Sequence, residues 1–123
     1  MRKRVVTTIT LIVLIVSVFA ANAFAYSGSF GYGVSARTQV GTVYNNSGHN
    51  TTVYAKAVPS SGYTLLELVN GSVPAQSASG VYPYNPVNPN YIHVPVLSGG
   101  LARVYVSPYS CNYTSGTVQY YYN

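Results

Sequence analysis

The amino-acid sequence predicts an all-β fold, namely a small antiparallel β-sandwich of about six strands that follows an N-terminal signal peptide. All 14 Tyr lie after Ala25, together with many Val and Thr, and these residue types are enriched in strands. Several short segments alternate apolar and polar side chains at a period of two, as half-buried strands do. Gly, Pro and Asn separate these segments at short intervals, a pattern typical of antiparallel sandwiches and small barrels.

Residues 1–25 have the three parts of a secretory signal peptide. Residues 2–4 are basic, residues 5–19 are mainly apolar, and residues 23–25 read Ala-Phe-Ala, with small residues where a signal peptidase cleaves. A membrane anchor is the alternative, but a spanning helix needs about 20 consecutive apolar residues and this stretch is shorter. We therefore expect a secreted protein, extracellular or at the cell surface. Its mature part is expected to be one domain, residues 26–123, without a transmembrane segment.

The first elements of the mature chain are predicted to include a hairpin. Residues 26–33 show no clear period and form either a flexible arm or an edge segment. Residues 34–44 alternate at period two, and the face expected to be buried includes Val34 and Tyr44. An Asn-Asn-Ser-Gly turn then leads to the second strand of the hairpin, residues 51–58.

The middle of the chain is predicted to contain two strands and two loops. In residues 51–58 the side chains expected to face inward are Val53, Ala55 and Ala57, and those expected to face outward are Tyr54 and Lys56. Residues 63–69 form the next strand, between a Pro/Gly turn and an Asn-Gly turn. Residues 72–80 are a Ser/Ala/Gly-rich loop. Residues 82–90 contain three prolines, which a central strand does not tolerate, so an extended loop is expected there.

The last part of the chain is predicted to form three strands, at residues 91–97, 101–107 and 117–122. The Ser-Gly-Gly segment at residues 98–100 predicts a tight hairpin between the first two. Pro95 places its strand at a sheet edge or a bulge, because proline cannot donate to the ladder. The C-terminal strand is expected to be a further edge, open to pairing with another copy.

Glu67 is the only acidic residue in the chain, and this excludes most catalytic chemistry. General acid–base pairs, carboxylate nucleophiles and hard-cation sites need carboxylates, usually two or more together. His49 and His93 do not show the spacing of a metal site. We therefore expect no enzyme activity, no catalytic residue, no metal site and no cofactor.

The distribution of charge also argues against a nucleic-acid partner. Three of the six basic residues lie in the signal peptide, so the mature chain has Arg37, Lys56 and Arg103 against Glu67 and a formal charge of +2. Nucleic-acid interfaces need clustered Lys and Arg, and these three are scattered. So few charges leave little repulsion between copies, which favours self-association.

Cys111 and four sequons are further candidate sites. Cys111 is the only cysteine, and in a secreted protein this indicates a free thiol, a buried small side chain or an intermolecular disulfide. The sequons become N-glycosylation sites if the host glycosylates its secreted proteins. Their asparagines, all in predicted turns or at strand edges, are Asn45, Asn50, Asn70 and Asn112.

Tyrosine provides the main indication of function, because there are too many rings for so small a core. Exposed Tyr forms rigid, amphipathic contact surfaces for sugars and proteins. The alternative is that the C-terminal tyrosines alternate between the two faces of an edge strand. The residues predicted to form an interaction surface are Tyr82, Tyr84, Tyr91, Tyr120, Tyr121 and Tyr122.

These features favour a secreted, non-enzymatic structural or surface protein that acts by self-association or adhesion. The N-terminal arm or the C-terminal strand of one copy would pair with a sheet edge of the next copy, building an extracellular assembly. A carbohydrate-binding module is an alternative, in which the Tyr-lined Pro-rich loop would hold a cell-envelope polysaccharide.

A second alternative is a small secreted antibacterial effector. Gly31-Tyr32-Gly33-Val34-Ser35, together with the aromatic C-terminus, resembles the lactococcin-like bacteriocins, which are small secreted β-sandwich proteins. The resemblance implies a β-sandwich fold and an action on cell envelopes. The chain departs from that family in having no Trp and in lacking its His-rich elements.

Overall fold

The computed structural model of this chain describes residues 26–71 and 76–123, and the regular elements in these ranges are all β-strands. The predicted signal peptide, residues 1–25, lies outside the described residues. Within them, no helix is long and apolar enough to cross a membrane. The strands are β1 (Tyr26–Val34), β2 (Thr38–Tyr44), β3 (Thr51–Ser61), β4 (Tyr63–Asn70), β5 (Ser77–Pro83), β6 (Ile92–Val96), β7 (Leu101–Pro108) and β8 (Thr114–Tyr122).

The eight strands form two four-stranded antiparallel sheets, so the predicted all-β sandwich is confirmed. The first sheet has the strand order β1-β8-β3-β6, and the second sheet has the order β2-β7-β4-β5. The edge strands β1 and β2 lie against each other on one side of the sandwich, and β5 and β6 do so on the other side. Most consecutive strands belong to different sheets, and β4 with β5 is the consecutive pair that shares a ladder.

The structure has two more strands than the sequence predicted. β1 is a paired edge strand, which was one of the two alternatives for residues 26–33. β5 begins at Ser77 within residues 72–80, which were predicted to be a loop, and continues to Pro83 in the predicted Pro-rich loop. Its Ser-Ala-Ser-Gly sequence has little strand propensity, but β5 pairs with β4 along its whole length. Pairing with a neighbouring strand therefore outweighs local composition here.

The two predicted hairpins are wrong in their pairing. β2 pairs with β7, whereas β3 pairs with β6 and β8, so the turn after Tyr44 leads from the second sheet to the first, and Val34 belongs to β1. The tight turn at residues 98–100 is present, since Gly100 N donates to Leu97 O at 2.8 Å, but it joins β6 to β7 in the other sheet. Alternation at period two identifies a strand but not its partner.

A β-bulge in β2 reverses the burial predicted for its second half. The pairing with β7 shifts by one residue between Gln39 and Gly41. One extra residue moves every later side chain to the opposite face of the sheet. Val43 is therefore 2% exposed, and Tyr44, which was expected to be buried, is 57% exposed.

The C-terminal strand β8 is central and not an edge, which corrects the prediction for residues 117–122. It pairs with β1 on one side and with β3 on the other. Its ladder groups are therefore already used, and addition of this strand to another copy is not open to the folded chain. Pro95 lies in β6 at the edge of the first sheet, as expected for a proline within a strand.

Gly62 forms the corner between β3 and β4, where the chain passes from the first sheet to the second. Its φ of 72° lies in the left-handed region, which glycine adopts at no steric cost. A Cβ at this position would collide with the carbonyl oxygen of Tyr113. A single residue can therefore connect two strands in different sheets.

The core between the sheets is built mainly from Val, Leu and Ala. Val53, Ala55 and Ala57 are at most 2% exposed, which confirms the inward face predicted for β3. Leu66 and Leu68 of β4 oppose them from the second sheet and are fully buried. Burial of these apolar side chains is the main stabilising contribution in a domain of this size.

Three buried hydroxyl groups also connect the two sheets. Tyr32 Oη lies 2.6 Å from Thr64 Oγ1, which lies 2.7 Å from Thr114 Oγ1. Thr114 Oγ1 donates to the carbonyl oxygen of Ser61 at 2.9 Å. Burial raises the pKa of Tyr32, and its hydrogen bonds to Thr64 and Thr114 lower it in part. Tyr32 and Thr114 belong to the first sheet and Thr64 to the second, so the network holds the sheets in register.

Tyr82 of β5 is a core residue as well. Its side chain is 1% exposed, and its hydroxyl donates to the carbonyl oxygen of Asn90 at 2.6 Å. Burial raises the pKa of Tyr82 to about 12, a shift that a hydrogen bond to the Ile92 main chain reduces in part. The hydroxyl therefore stays protonated well above the pH at which a solvated tyrosine ionises.

We expect Thr64→Val to lower the free energy of unfolding by about 1–3 kcal/mol, because it leaves the buried hydroxyls of Tyr32 and Thr114 without their shared partner. Urea unfolding measures this loss. Thr117→Val makes the same change on the outer face of β8 and should alter stability by less than about 0.5 kcal/mol. Equal losses in the two variants would show that the network contributes nothing.

We expect stability to fall as the pH rises from 10 to 12. Tyr82 ionises near pH 10.0 when solvated but holds its proton to about 12 in the folded chain, so the folded state binds more protons in this window. The loss should reach at most about 2–3 kcal/mol. Thermal unfolding across this range measures it, and Tyr82→Phe should show a shallower decline. An identical decline in that variant would assign the effect to other tyrosines.

Candidate functional site

The six tyrosines predicted to form an interaction surface do not share one surface. Tyr82 and Tyr122 are 1% and 5% exposed, so the expectation that these two present their rings to a partner is wrong. Tyr122 points inward from β8, and its hydroxyl donates to the carbonyl oxygen of Tyr44 in the second sheet at 2.6 Å. Tyr120 also points inward and stacks on Phe30, with 5.1 Å between ring centroids. Both tyrosines contribute to packing.

Tyr84 is the exposed tyrosine of the predicted Pro-rich loop. It is 57% exposed, and its main-chain N–H donates to the carbonyl oxygen of Gly62 at the β3–β4 corner. With Tyr82 buried, the loop does not offer the pair of rings expected for sugar binding. Tyr91, at the end of the same loop, is 38% exposed and lies on a different surface, together with Tyr121.

The outer face of the first sheet brings aromatic side chains from three strands together. The ring of Tyr121 stacks on Tyr54, with 4.8 Å between centroids and 7° between planes. His93 lies on the other side of Tyr54 at 5.6 Å, and Tyr91 meets Tyr121 edge-on at 5.1 Å. The strand register places Tyr121, Tyr54 and His93 directly opposite one another. We call Tyr54, Tyr91, His93 and Tyr121 the aromatic row.

One face of the Tyr121 ring is left uncovered by the aromatic row. Tyr54 covers the face turned towards β3, and the opposite face is turned towards β1, where Ser27 is the register partner of Tyr121. Burial raises the pKa of Tyr121, and the nearby hydroxyls of Tyr54 and Tyr91 raise it further. Its hydroxyl therefore remains a protonated donor at neutral and moderately alkaline pH.

A groove of about 630 Å³ runs beside the uncovered face of Tyr121. The wall of the groove on the β1 side is shallow, because β1 contributes only Ser and Gly residues to it. The opposite wall is formed by larger tyrosine side chains. Polar groups converge on the groove from both strands, because Ser29 lies opposite Gln119 in the register. The residues that line it are Ser27, Gly28, Ser29, Tyr91, Gln119, Tyr120 and Tyr121.

Among the residues that the structure describes, one cationic side chain, Lys56, lies on this face. Lys56 is the register partner of Gln119, and its ammonium lies 4.9 Å from the centre of the Tyr91 ring. The one carboxylate side chain, Glu67, belongs to the second sheet and pairs there with Arg37 at 3.0 Å. The described ranges contain no group of three His, Cys, Asp or Glu side chains that could hold a metal ion. The groove can therefore stack against a ring and form hydrogen bonds, and it carries no carboxylate for acid–base chemistry.

Several residues of this site were not selected from the sequence. Tyr54 and Lys56 were expected to face outward on β3, which is their position, but they were not linked to the C-terminal tyrosines. Their proximity to the C-terminal tyrosines depends on the pairing of β3 with β8, and the sequence does not reveal that pairing. Ser27 and Gln119 carry no pattern of their own and become site residues only through their register with β8 and β1.

The four sequons differ in accessibility. Asn45 is 1% exposed, and its amide Nδ2 donates to the carbonyl oxygens of His49, Val96 and Leu97. Asn70 is 4% exposed, and its Nδ2 donates to the carbonyl oxygen of Pro95. Glycosylation at these two positions is incompatible with the fold, because the nitrogen that carries a glycan is buried and bonded. The asparagines of the other two sequons, Asn50 and Asn112, are exposed.

Cys111 is exposed in the loop between β7 and β8. Its Sγ lies 3.5 Å from the carbonyl oxygen of Tyr63 and 3.4 Å from that of Tyr113. The reading of Cys111 as a buried small side chain is therefore wrong. A free thiol and an intermolecular disulfide both stay predictions.

No protein-family model matches this chain, and no curated protein is significantly similar to it in sequence. A β-sandwich fold serves many unrelated functions, so the geometry and chemistry of the site, and not the fold, indicate what this chain does.

We expect Asn50 and Asn112 to be the glycosylated positions in folded protein secreted from a eukaryotic host, because the amides of Asn45 and Asn70 are buried and hydrogen bonded. Peptide mass spectrometry of the secreted fraction measures occupancy at each sequon. Substantial glycan on Asn45 or Asn70 in protein that remains folded would contradict the burial of those side chains.

Proposed function

We propose that this chain is a secreted, non-enzymatic adhesion protein that binds a neutral or anionic polysaccharide on the outer face of its first sheet. The observation that supports this function is the uncovered face of Tyr121 beside the groove formed with β1. Secretion is inferred from the features of residues 1–25.

The chemistry of the groove suits a sugar ring. A pyranose has a flat apolar face of C–H groups and a rim of hydroxyls, so it needs an aromatic surface flanked by hydrogen-bonding groups. Tyr121 offers the aromatic surface, and Gln119 and Ser29 offer donors and acceptors within the same groove. Contacts between Tyr121, Tyr54 and Tyr91 hold the ring in place before a ligand arrives, which reduces the entropic cost of binding.

The charge of the face limits the class of polysaccharide. Lys56 lies next to Gln119 and Tyr91, and the described part of this face carries no acidic side chain. A cationic glycan would meet Lys56 without a compensating carboxylate. A neutral glycan would be accepted, and an anionic glycan would gain a contact with the Lys56 ammonium that weakens as salt increases.

Adhesion was one of the functions expected from the sequence, but the structure favours a different surface for it. The Pro-rich loop loses one of its two expected rings because Tyr82 is buried. The route to self-association through the C-terminal strand is closed because β8 is paired on both sides. The outer face of the first sheet combines accessible aromatic surface and polar groups in one groove, with the cation Lys56 beside it.

We expect Tyr121→Ala to weaken binding to insoluble polysaccharide roughly tenfold, because it removes the aromatic face of the groove. Co-sedimentation with a neutral β-glucan and with an anionic polyuronate measures binding. Tyr84→Ala is the matched control, since it removes an exposed tyrosine outside the groove and should leave binding unchanged.

A second variant, Ser29→Phe, tests whether a loss of binding comes from the groove itself or from a loss of packing. Ser29→Phe fills the groove from the exposed face of β1 without removing a packed side chain, and it should also weaken binding. Circular dichroism checks that each variant is folded. Binding that survives both Tyr121→Ala and Ser29→Phe, or that is lost in Tyr84→Ala, would contradict this location for the site.

A further inference from the structure

The four edge strands of the sandwich are unequally protected against pairing with another chain. β6 is five residues long and contains Pro95, and β2 is interrupted by the bulge near Val40. The edge of β5 is partly covered, because Asn88 Nδ2 donates to the carbonyl oxygen of Val81 at 3.0 Å. Proline, bulges, short length and covering loops are the features that natural proteins use to block edge pairing.

Among the described residues, β1 has none of these protections. It runs for nine residues, Tyr26–Val34, without a charge, a proline or a bulge, and its register with β8 is unbroken. Within the part of the chain that the structure describes, it pairs on one side only. A long, regular, uncharged edge of this kind is a template for another strand.

We infer that β1 is the interface for a second copy of this chain, formed by antiparallel pairing of β1 with β1 about a two-fold axis. The outward side chains of β1 are Ser27, Ser29, Gly31 and Gly33, so a second β1 can approach without a steric or charge conflict. The mature formal charge of +2 leaves little repulsion between copies. An isologous interface closes on itself, so the product is a dimer and not a fibre.

This dimer would join two copies of the groove on one surface. A two-fold axis perpendicular to a sheet keeps both outer faces on the same side, so the first sheets merge into one of eight strands. The two β8 strands would lie three strand spacings apart, about 14 Å, and the two Tyr121 rings, each opposite Ser27 at one end of β1, would lie towards opposite ends of the merged sheet. The joining of the two grooves matters for function only if the proposed polysaccharide binding holds, whereas the pairing of the β1 strands does not depend on it.

Gly31→Lys tests the pairing. A Cβ at Gly31 meets no atom within 4 Å, so the variant fits the monomer. Residue 31 lies near the centre of β1, so two lysines would be brought close together in the dimer and repel each other. Gly31→Ser keeps a small neutral side chain. Ser79→Lys places the same charge on the exposed face of β5, the edge of the other sheet.

Sedimentation velocity with reductant, over a range of protein concentrations, is the measurement. We expect a concentration-dependent dimer for the unaltered mature protein, Gly31→Ser and Ser79→Lys, and a dissociation constant roughly tenfold higher for Gly31→Lys. A protein that stays monomeric throughout, or a dimer that is unaffected by Gly31→Lys, would overturn the inference. Polysaccharide binding by the Gly31→Lys variant is measured separately at a concentration where it is monomeric, so failure of the dimer and failure of the proposed function are distinguishable.

Discussion

The position of β8 between β1 and β3 constrains most other features of this molecule. A central strand is hydrogen bonded on both sides, and the pleat of its backbone turns successive side chains alternately to the core and to the outer face. Val118 and Tyr122 enter the core, and Gln119 and Tyr121 stand on the outer face. One strand therefore supplies both Tyr122, whose hydroxyl bonds to the second sheet, and Tyr121, the central ring of the candidate binding site.

Tyrosine side chains make the stabilising contacts here that charged residues and disulfides make in many other small domains. The hydroxyl of Tyr122 reaches the second sheet, and its ring stacks on Tyr26 with 4.6 Å between centroids. The one ion pair that the structure describes, Arg37 with Glu67, is partly exposed, and ion pairs screened by solvent add little to stability. Apolar burial and hydroxyl hydrogen bonds must therefore provide nearly all the stability, so the rings in the core are not available for ligand binding.

The fold class and most strands could be predicted from the sequence, whereas the pairing of strands could not. Alternation correctly identified the inward face of β3, because Val53, Ala55 and Ala57 follow a regular period of two. It failed for β2, where the bulge inverts the faces, and for the two predicted hairpins, where a turn joins strands of different sheets. Local patterns report the pleat of one strand and carry no information about its neighbours.

The same limit applies to the candidate site. The tyrosine count indicated an interaction surface, and Tyr91 and Tyr121 were among the residues selected. Their neighbours on the surface, Tyr54, Lys56 and Gln119, are distant in sequence and meet only through the register of β3 with β8. Burial of Tyr82 could not be read from its position beside Pro83, because the loop that follows β5 folds back and accepts its hydroxyl at Asn90.

The measurement that tests the central claim most directly is a titration of the isotope-labelled mature protein with polysaccharide fragments, followed residue by residue by nuclear magnetic resonance. The account predicts chemical-shift changes at Ser27, Ser29, Gln119 and Tyr121, with smaller changes at the neighbouring rings of Tyr54 and Tyr91. Shift changes centred on Tyr84 and the β3–β4 corner, or none at saturating concentrations of neutral and anionic fragments, would contradict it.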